Sequence, residues 1–127
     1  MDRIIQIDGK DVKFRATAMA PRLYRHILGR DMISDMNKLS KAYNKAVSVK
    51  KDATDEEKRE AQLSAMDLEI FENAAYIMAR LAAPEDMPDS PDEWLDGFEM
   101  FSIYQILPQL LELWNLNNKT TSISKKK

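Results

Sequence analysis

The sequence predicts an α+β fold that is predominantly helical, with an N-terminal β-hairpin packed on four to five α-helices. Three observations predict it. Residues 3–16, RIIQIDGKDVKFRA, alternate apolar and polar side chains about an Asp8-Gly9 pair, the pattern of two strands joined by a tight turn. From Leu23 to Leu81, apolar residues recur at intervals of three and four, which is helical spacing. Residues 90–118, SPDEWLDGFEMFSIYQILPQLLELWNLNN, hold both tryptophans, Phe98, Phe101, Tyr104 and the densest run of leucine. The first half of the chain must cover these rings.

A two-residue turn at Asp8-Gly9 needs φ above zero at both central positions. It sets Ile5 opposite Val12 and Arg3 opposite Phe14. Ile5, Ile7, Val12 and Phe14 then share one face, and Ile4, Gln6, Asp11 and Lys13 the other. A lone hairpin is marginal in water, so its apolar face must rest on helices.

Pro21 suits the first turn of a helix over 21–28, whose face is Leu23, Tyr24, Ile27 and Leu28. Gly29 reads as a left-handed helix end and Asp31 as the cap of a second helix, 31–48. There Met32, Ile33, Met36, Leu39, Tyr43 and Val47 keep helical spacing, and Lys38, Lys41 and Lys45 mark the wet side. After a polar linker, Thr54 and Glu57 form a capping box, and Asp55, Glu56 and Glu57 suit the positive end of the helix dipole. A single long helix, 55–82, is predicted. Leu63, Met66, Ile70, Ala74, Ile77 and Leu81 make one stripe, and Leu68, Phe71, Ala75 and Met78 a second beside it. So broad a stripe predicts burial on more than one side and makes this the central helix.

Pro84 and Pro88 mark a loop. Ser90, Pro91 and Glu93 then start a helix over 91–100, with Ser90 and Glu93 as another capping box. Pro108 lacks the N–H that would bond the Tyr104 carbonyl, which predicts a kink or break near 100–103. A last helix, 103–115, carries Leu107, Leu110, Leu111 and Trp114. Residues 1–118 are expected to be one domain, and 119–127, KTTSISKKK, a disordered basic tail.

The chain of 127 residues has no cysteine, which excludes disulfides and thiolate metal sites and fits a reducing cytoplasm. No run reaches the ~18 apolar residues of a membrane span, and the first residues lack the order of a signal peptide. A soluble, intracellular chain is expected. Its net charge is −2, but the charges are separated. Residues 1–51 hold 12 Lys/Arg against 5 Asp/Glu, residues 52–118 hold 3 against 16, and residues 119–127 hold 4 lysines and no acid. Such separation invites a basic face to meet an acidic one, within a molecule or between copies.

Nothing in the pattern singles out a catalytic, cofactor or metal site. His26 is the only histidine and reads as a surface or half-buried helix residue. The three glycines, Gly9, Gly29 and Gly97, form no phosphate loop. The acidic group Glu85, Asp86, Asp89, Asp92, Glu93 and Asp96 does not match a calcium loop and reads as a solvated helix start. Arg3, Lys10, Lys13, Phe14 and Arg15 could bind nucleic acid, although a solvated outer face over a packed inner one explains them more simply. Of the eight methionines, Met32, Met36, Met66 and Met78 fit core stripes. The residues alone therefore predict a non-catalytic helical domain that binds other proteins.

Two segments resemble a known family. I-D-G-K-D-V-K-F-R-A-T, then P-R-L-Y-R and the Gly29-Arg30-Asp31 triplet, are similar to the start of the tail assembly chaperones of long-tailed phages and prophages of Gram-positive bacteria. E-W-L-D-G-F-E-M-F (93–101) and I-L-P-Q-L-L-E-L-W (106–114) are similar to their C-terminal half. The similar parts span most of residues 4–118; the stretch 48–65 is not distinctive. The resemblance implies a non-virion assembly factor in the host cytoplasm. Such a factor binds the tape measure protein, keeps it soluble and helps recruit tail tube subunits. The resemblance also implies multiple copies, and a short form whose frame can be extended by ribosomal frameshifting; the A-rich codons of Lys125 to Lys127 would suit a slippery run. It implies no catalytic or cofactor residues. Trp94, Phe98, Phe101, Tyr104 and Trp114 are the expected partner-binding residues, one or two of them lining a groove or a self-association face. Small-molecule substrates and membranes are not expected partners. A nucleic-acid-binding regulator and a minor virion structural protein remain the alternatives.

Overall fold

The Asp8-Gly9 turn, with φ of 56° and 76°, folds β1 (Asp2–Ile7) onto β2 (Lys10–Arg15) as an antiparallel pair. Ile5 faces Val12 and Arg3 faces Phe14, the register that a two-residue turn dictates. The structure, a computed structural model, describes the backbone of residues 1–126 and the side chains of residues 1–115. The fold is α+β and predominantly helical: the hairpin, then α1 (Met19–Leu28), α2 (Met32–Ser48), α3 (Asp55–Glu60), α4 (Ala65–Ala82), a 3-10 turn (Pro84–Asp86), α5 (Pro91–Asp96) and α6 (Ile103–Lys126).

α4 is the centre. β2, α1, α2, α5 and α6 all pack against it, and α6 also flanks β1. Its residues Ile70, Phe71 and Ala74 through Ala79 are buried. The small alanines let neighbours approach closely, and Ile5, Ile7 and Phe14 close the core from the hairpin side. Val12 shares that face and is half-buried.

Four helix boundaries differ from the sequence expectation. α1 starts two residues before Pro21, because the Thr17 hydroxyl accepts from the Met19 N–H at 3.2 Å and the Thr17 carbonyl from the Ala20 N–H at 2.9 Å. Pro21 then lies in the first turn, where its missing N–H has no helical partner to lose.

The single helix over 55–82 is two helices. Ser64 and Asp67 form a complete capping box: the Asp67 N–H donates to Ser64 Oγ at 3.0 Å and the Ser64 N–H to Asp67 Oδ2 at 2.9 Å. This starts α4 afresh and resets the phase of the stripe. Leu63 is only half-buried, while Met66 and Leu68 are exposed rather than in the core. Thr54 caps α3 through the Glu57 N–H at 3.1 Å.

α5 stops at Asp96, short of the expected residue 100. The Gly97 N–H turns back to the Trp94 carbonyl at 3.1 Å and the Phe98 N–H to the Leu95 carbonyl at 3.0 Å. A Cβ on Gly97 would sit 3.3 Å from the Trp94 carbonyl oxygen. Ser90 accepts from the Glu93 N–H at 3.2 Å. The expected break is the irregular stretch 97–102, and Pro108 is carried inside α6. α6 runs past the expected end at 115, and its side chains are described only as far as Asn115. The expected tail, 119–127, therefore lies outside the described side chains.

Candidate functional site

Five residues were expected to meet a partner, and the fold sends them to three different environments. Trp94 is 7 % exposed and sits at the centre of an aromatic cluster. Phe98 and Phe101 pack edge-on against its ring, each with a centroid at 5.3 Å; Phe14 lies at 6.3 Å and Tyr76 at 6.0 Å. Phe98 and Phe101 are half-buried, and Phe101 continues the cluster to Phe71 at 5.3 Å. Edge-to-face pairs of this kind each add about 0.5–1.5 kcal/mol beyond burial. Trp114 is 3 % exposed, within the α6 face that packs inward with Leu110 and Leu113. Trp94 and Trp114 are therefore anchors of the fold, because a helix that buries this much ring area has its best partners inside.

The hairpin turn clamps the cluster from outside. Lys10 Nζ lies 5.5 Å from the Phe98 ring centroid and donates to the Gly97 carbonyl at 3.0 Å. Asp8 accepts from the Glu99 N–H at 3.0 Å. The other hairpin cations are paired as well. Arg3 forks onto Glu112 at 3.0 and 3.1 Å, Arg15 onto Asp2 at 2.8 and 3.0 Å, and Lys13 Nζ is 3.5 Å from Asp2.

Tyr104 is the one expected residue that faces water, at 59 % exposure. Its ring lies 6.2 Å from that of Tyr43 on α2. Tyr43 opens onto a groove of about 440 Å³ between α2 and α6. Ser40, Asn44, Pro108, Leu111, Glu112 and Asn115 line the rest of it. Burial first, then the neighbouring Tyr104, raises the Tyr43 pKa above that of an ordinary phenol. Tyr43, Pro108 and Leu111 supply apolar lining and Ser40, Asn44, Glu112 and Asn115 polar lining, a mixture that suits the face of an amphipathic helix. Sequence reasoning put Tyr43 on the apolar stripe of the second helix, Leu111 on that of the last, and read Pro108 as a helix breaker, none of them as groove lining. The signal was available: Ser40, Tyr43, Asn44 and Val47 share one side of α2 and mix polar with apolar, unlike a core stripe.

The Gly29-Arg30-Asp31 triplet is a structural junction. Gly29 ends α1 in the left-handed region (φ 69°), its N–H bonded to the Arg25 carbonyl at 2.8 Å. Asp31 caps α2 by accepting from the Ile33 N–H at 3.0 Å. Arg30 donates from two nitrogens to Asp35, at 2.7 and 2.8 Å, and the buried Tyr24 hydroxyl donates to the same carboxylate at 2.8 Å. Asp35 is 3 % exposed and is the only buried charged residue among those described. His26 is exposed. No group of three or more metal-ligating side chains gathers among the described residues, and no described helix is long and apolar enough to cross a membrane.

No family model, curated protein or solved structure matches the chain.

Proposed function

We propose that this chain is a non-catalytic tail assembly chaperone of a long-tailed phage or prophage. In the host cytoplasm it binds the tape measure protein, keeps that long helical chain soluble, helps recruit tail tube subunits and associates with further copies of itself. It stays out of the mature virion. The observation that carries this reading is the α2–α6 groove with Tyr43 on its wall and Tyr104 exposed beside it. A holding factor needs apolar surface that accepts one face of a client helix without being so large that it aggregates. The two segments that resemble the chaperone family support the same reading. The pairing of Arg3, Lys10, Lys13 and Arg15 within the molecule favours it over a nucleic-acid-binding regulator, which would need those cations free for phosphates.

Affinity capture from cells assembling tails should recover the tape measure protein, and mass spectrometry of purified particles should find this chain missing. Tyr104→Asp and Asn44→Arg, both at exposed positions, should cut recovery about tenfold, the equivalent of ~1.4 kcal/mol, with the melting temperature unchanged. Consistent failure to recover tape measure protein with the wild-type chain, or the presence of the chain in particles at stoichiometric amounts, would refute the proposal.

A further inference from the structure

We infer that the junction of α3 and α4 is a two-state hinge. In the bent form described above, residues 61–64 turn the chain. In the straight form α3 and α4 run as one helix over 55–82, and apolar surface at the end of α2 is uncovered. The inference stands on the fold alone and holds or fails independently of the client proposed above.

Nothing in the covalent sequence forbids the straight form. Residues 55–69, DEEKREAQLSAMDLE, contain no glycine, no proline and no β-branched side chain, and most of them are strong helix formers. In the bent form the Leu63, Ala65 and Met66 amides have no acceptor among the described residues. A continuous helix would give them the carbonyls of Arg59, Ala61 and Gln62. The bend is held by the reciprocal Ser64–Asp67 bonds, at a site where Ser64 is exposed and Asp67 half-buried. Water can replace both bonds.

Little else holds α3 down. It has no buried residue. Ala61 at its end is buried and Leu63 is half-buried. The linker from Val49 to Thr54 can span about 20 Å when extended, which leaves α3 free to swing without disturbing α2. A cleft of about 200 Å³ lies between Lys45, Ser48 and Val49 on one side and Glu57, Glu60 and Ala61 on the other. Straightening opens it and frees the seats of Ala61 and Leu63. Val47, Val49, Met66 and Leu68 are exposed already, so the two forms differ in how much apolar surface this end of the molecule offers. The ratio of the two forms would respond to any ligand that prefers one of them.

Two variants push the hinge in opposite directions. Ala65→Pro suits the bent form, because residue 65 is the first of α4, its N–H bonds nothing, and Ser64 at φ −80°, ψ 166° already has the backbone that precedes proline. In a continuous helix the same proline would clash with the Ala61 carbonyl. Ser64→Ala with Asp67→Ala removes the capping box and leaves two good helix formers. NMR on the full chain reads the outcome at Gln62, Leu63 and Met66. The double variant should move the Gln62 and Leu63 Cα shifts to helical values and slow Leu63 and Met66 amide exchange tenfold or more. Ala65→Pro should leave these shifts non-helical and exchange fast. Wild-type shifts and exchange in the double variant, or helical shifts that survive Ala65→Pro, overturn the hinge.

Discussion

Trp94→Ala should destabilise the chain by about 3–5 kcal/mol. Trp94 is nearly sealed, and four rings from three parts of the chain meet its indole: Phe14 from the hairpin, Tyr76 from α4, and Phe98 and Phe101 from the stretch after α5. Alanine would leave a cavity bordered by rings that cannot all collapse into it, because they are fixed to three different parts of the chain. Domains of this size have a total stability of about 5–15 kcal/mol, so the loss is about a fifth of the whole or more. Thermal melting followed by circular dichroism should show a midpoint lower by roughly 10–20 °C. Tyr104→Ala is the matched control. Its ring faces water, and its midpoint should stay within about 2 °C of the wild type. Equal shifts for the two variants would contradict the division of the aromatic residues into anchors and surface.

Asp35→Ala should be the second most damaging single change, at about 2–3 kcal/mol. It strands the buried Tyr24 hydroxyl without an acceptor and frees Arg30. The Arg30 side chain is 43 % exposed and can turn to water, which keeps the loss below that of a fully buried pair. Tyr24→Phe leaves the Arg30–Asp35 fork intact and should cost only about 1 kcal/mol. The same carboxylate sets an acid dependence. Its bonds from Arg30 first, and from Tyr24, outweigh its desolvation and hold Asp35 below the ordinary carboxylate pKa. A depressed carboxylate pKa contributes stability that is fully present above the unfolded value of about 3.9 and is lost as pH falls through the folded one. Asp2 is lowered to about 2 by Arg15 and acts in the same direction, weakly because it is exposed. The melting midpoint should therefore hold from pH 7 to about pH 4 and fall below that. Asp35→Asn should start lower and fall less steeply. A wild-type profile flat down to pH 2 would contradict this account of the cluster.

The hairpin, its register and the junction at Gly29 to Asp31 were legible in the sequence because each depends on local chemistry: two positive-φ residues in a row, a left-handed cap, an aspartate before a run of apolar residues. α4 was legible as the central helix because its apolar stripe is too broad for one-sided burial. The bend at 61–64 was not. Helical periodicity runs straight through Ser64, and the Ser-x-x-Asp box there competes with continuity on nearly equal terms, so neither propensity nor spacing decides it. The placement of the aromatic residues was half legible. Composition identified which rings matter, but whether a ring faces inward depends on what stands across from it. Trp94 meets Phe14 of the hairpin, 80 positions away, whereas Tyr104 meets the tilted ring of Tyr43 at the surface. Nor did the separation of charge along the chain leave a free basic face on the hairpin, because Arg3 reaches Glu112 and Lys10 reaches the Gly97 carbonyl.

These last contacts bear on how the molecule is made. Lys10, Asp8 and Arg3 bond to partners 87, 91 and 109 positions further along. At the roughly 5–20 residues per second of translation, the strand pair waits several seconds beside the ribosome before the segment it grips exists. The two strands are thus made well before the segments that their polar side chains grip. Those polar contacts wait for residues 97–112, whereas the apolar face of the hairpin can already meet α4, against which β2 packs.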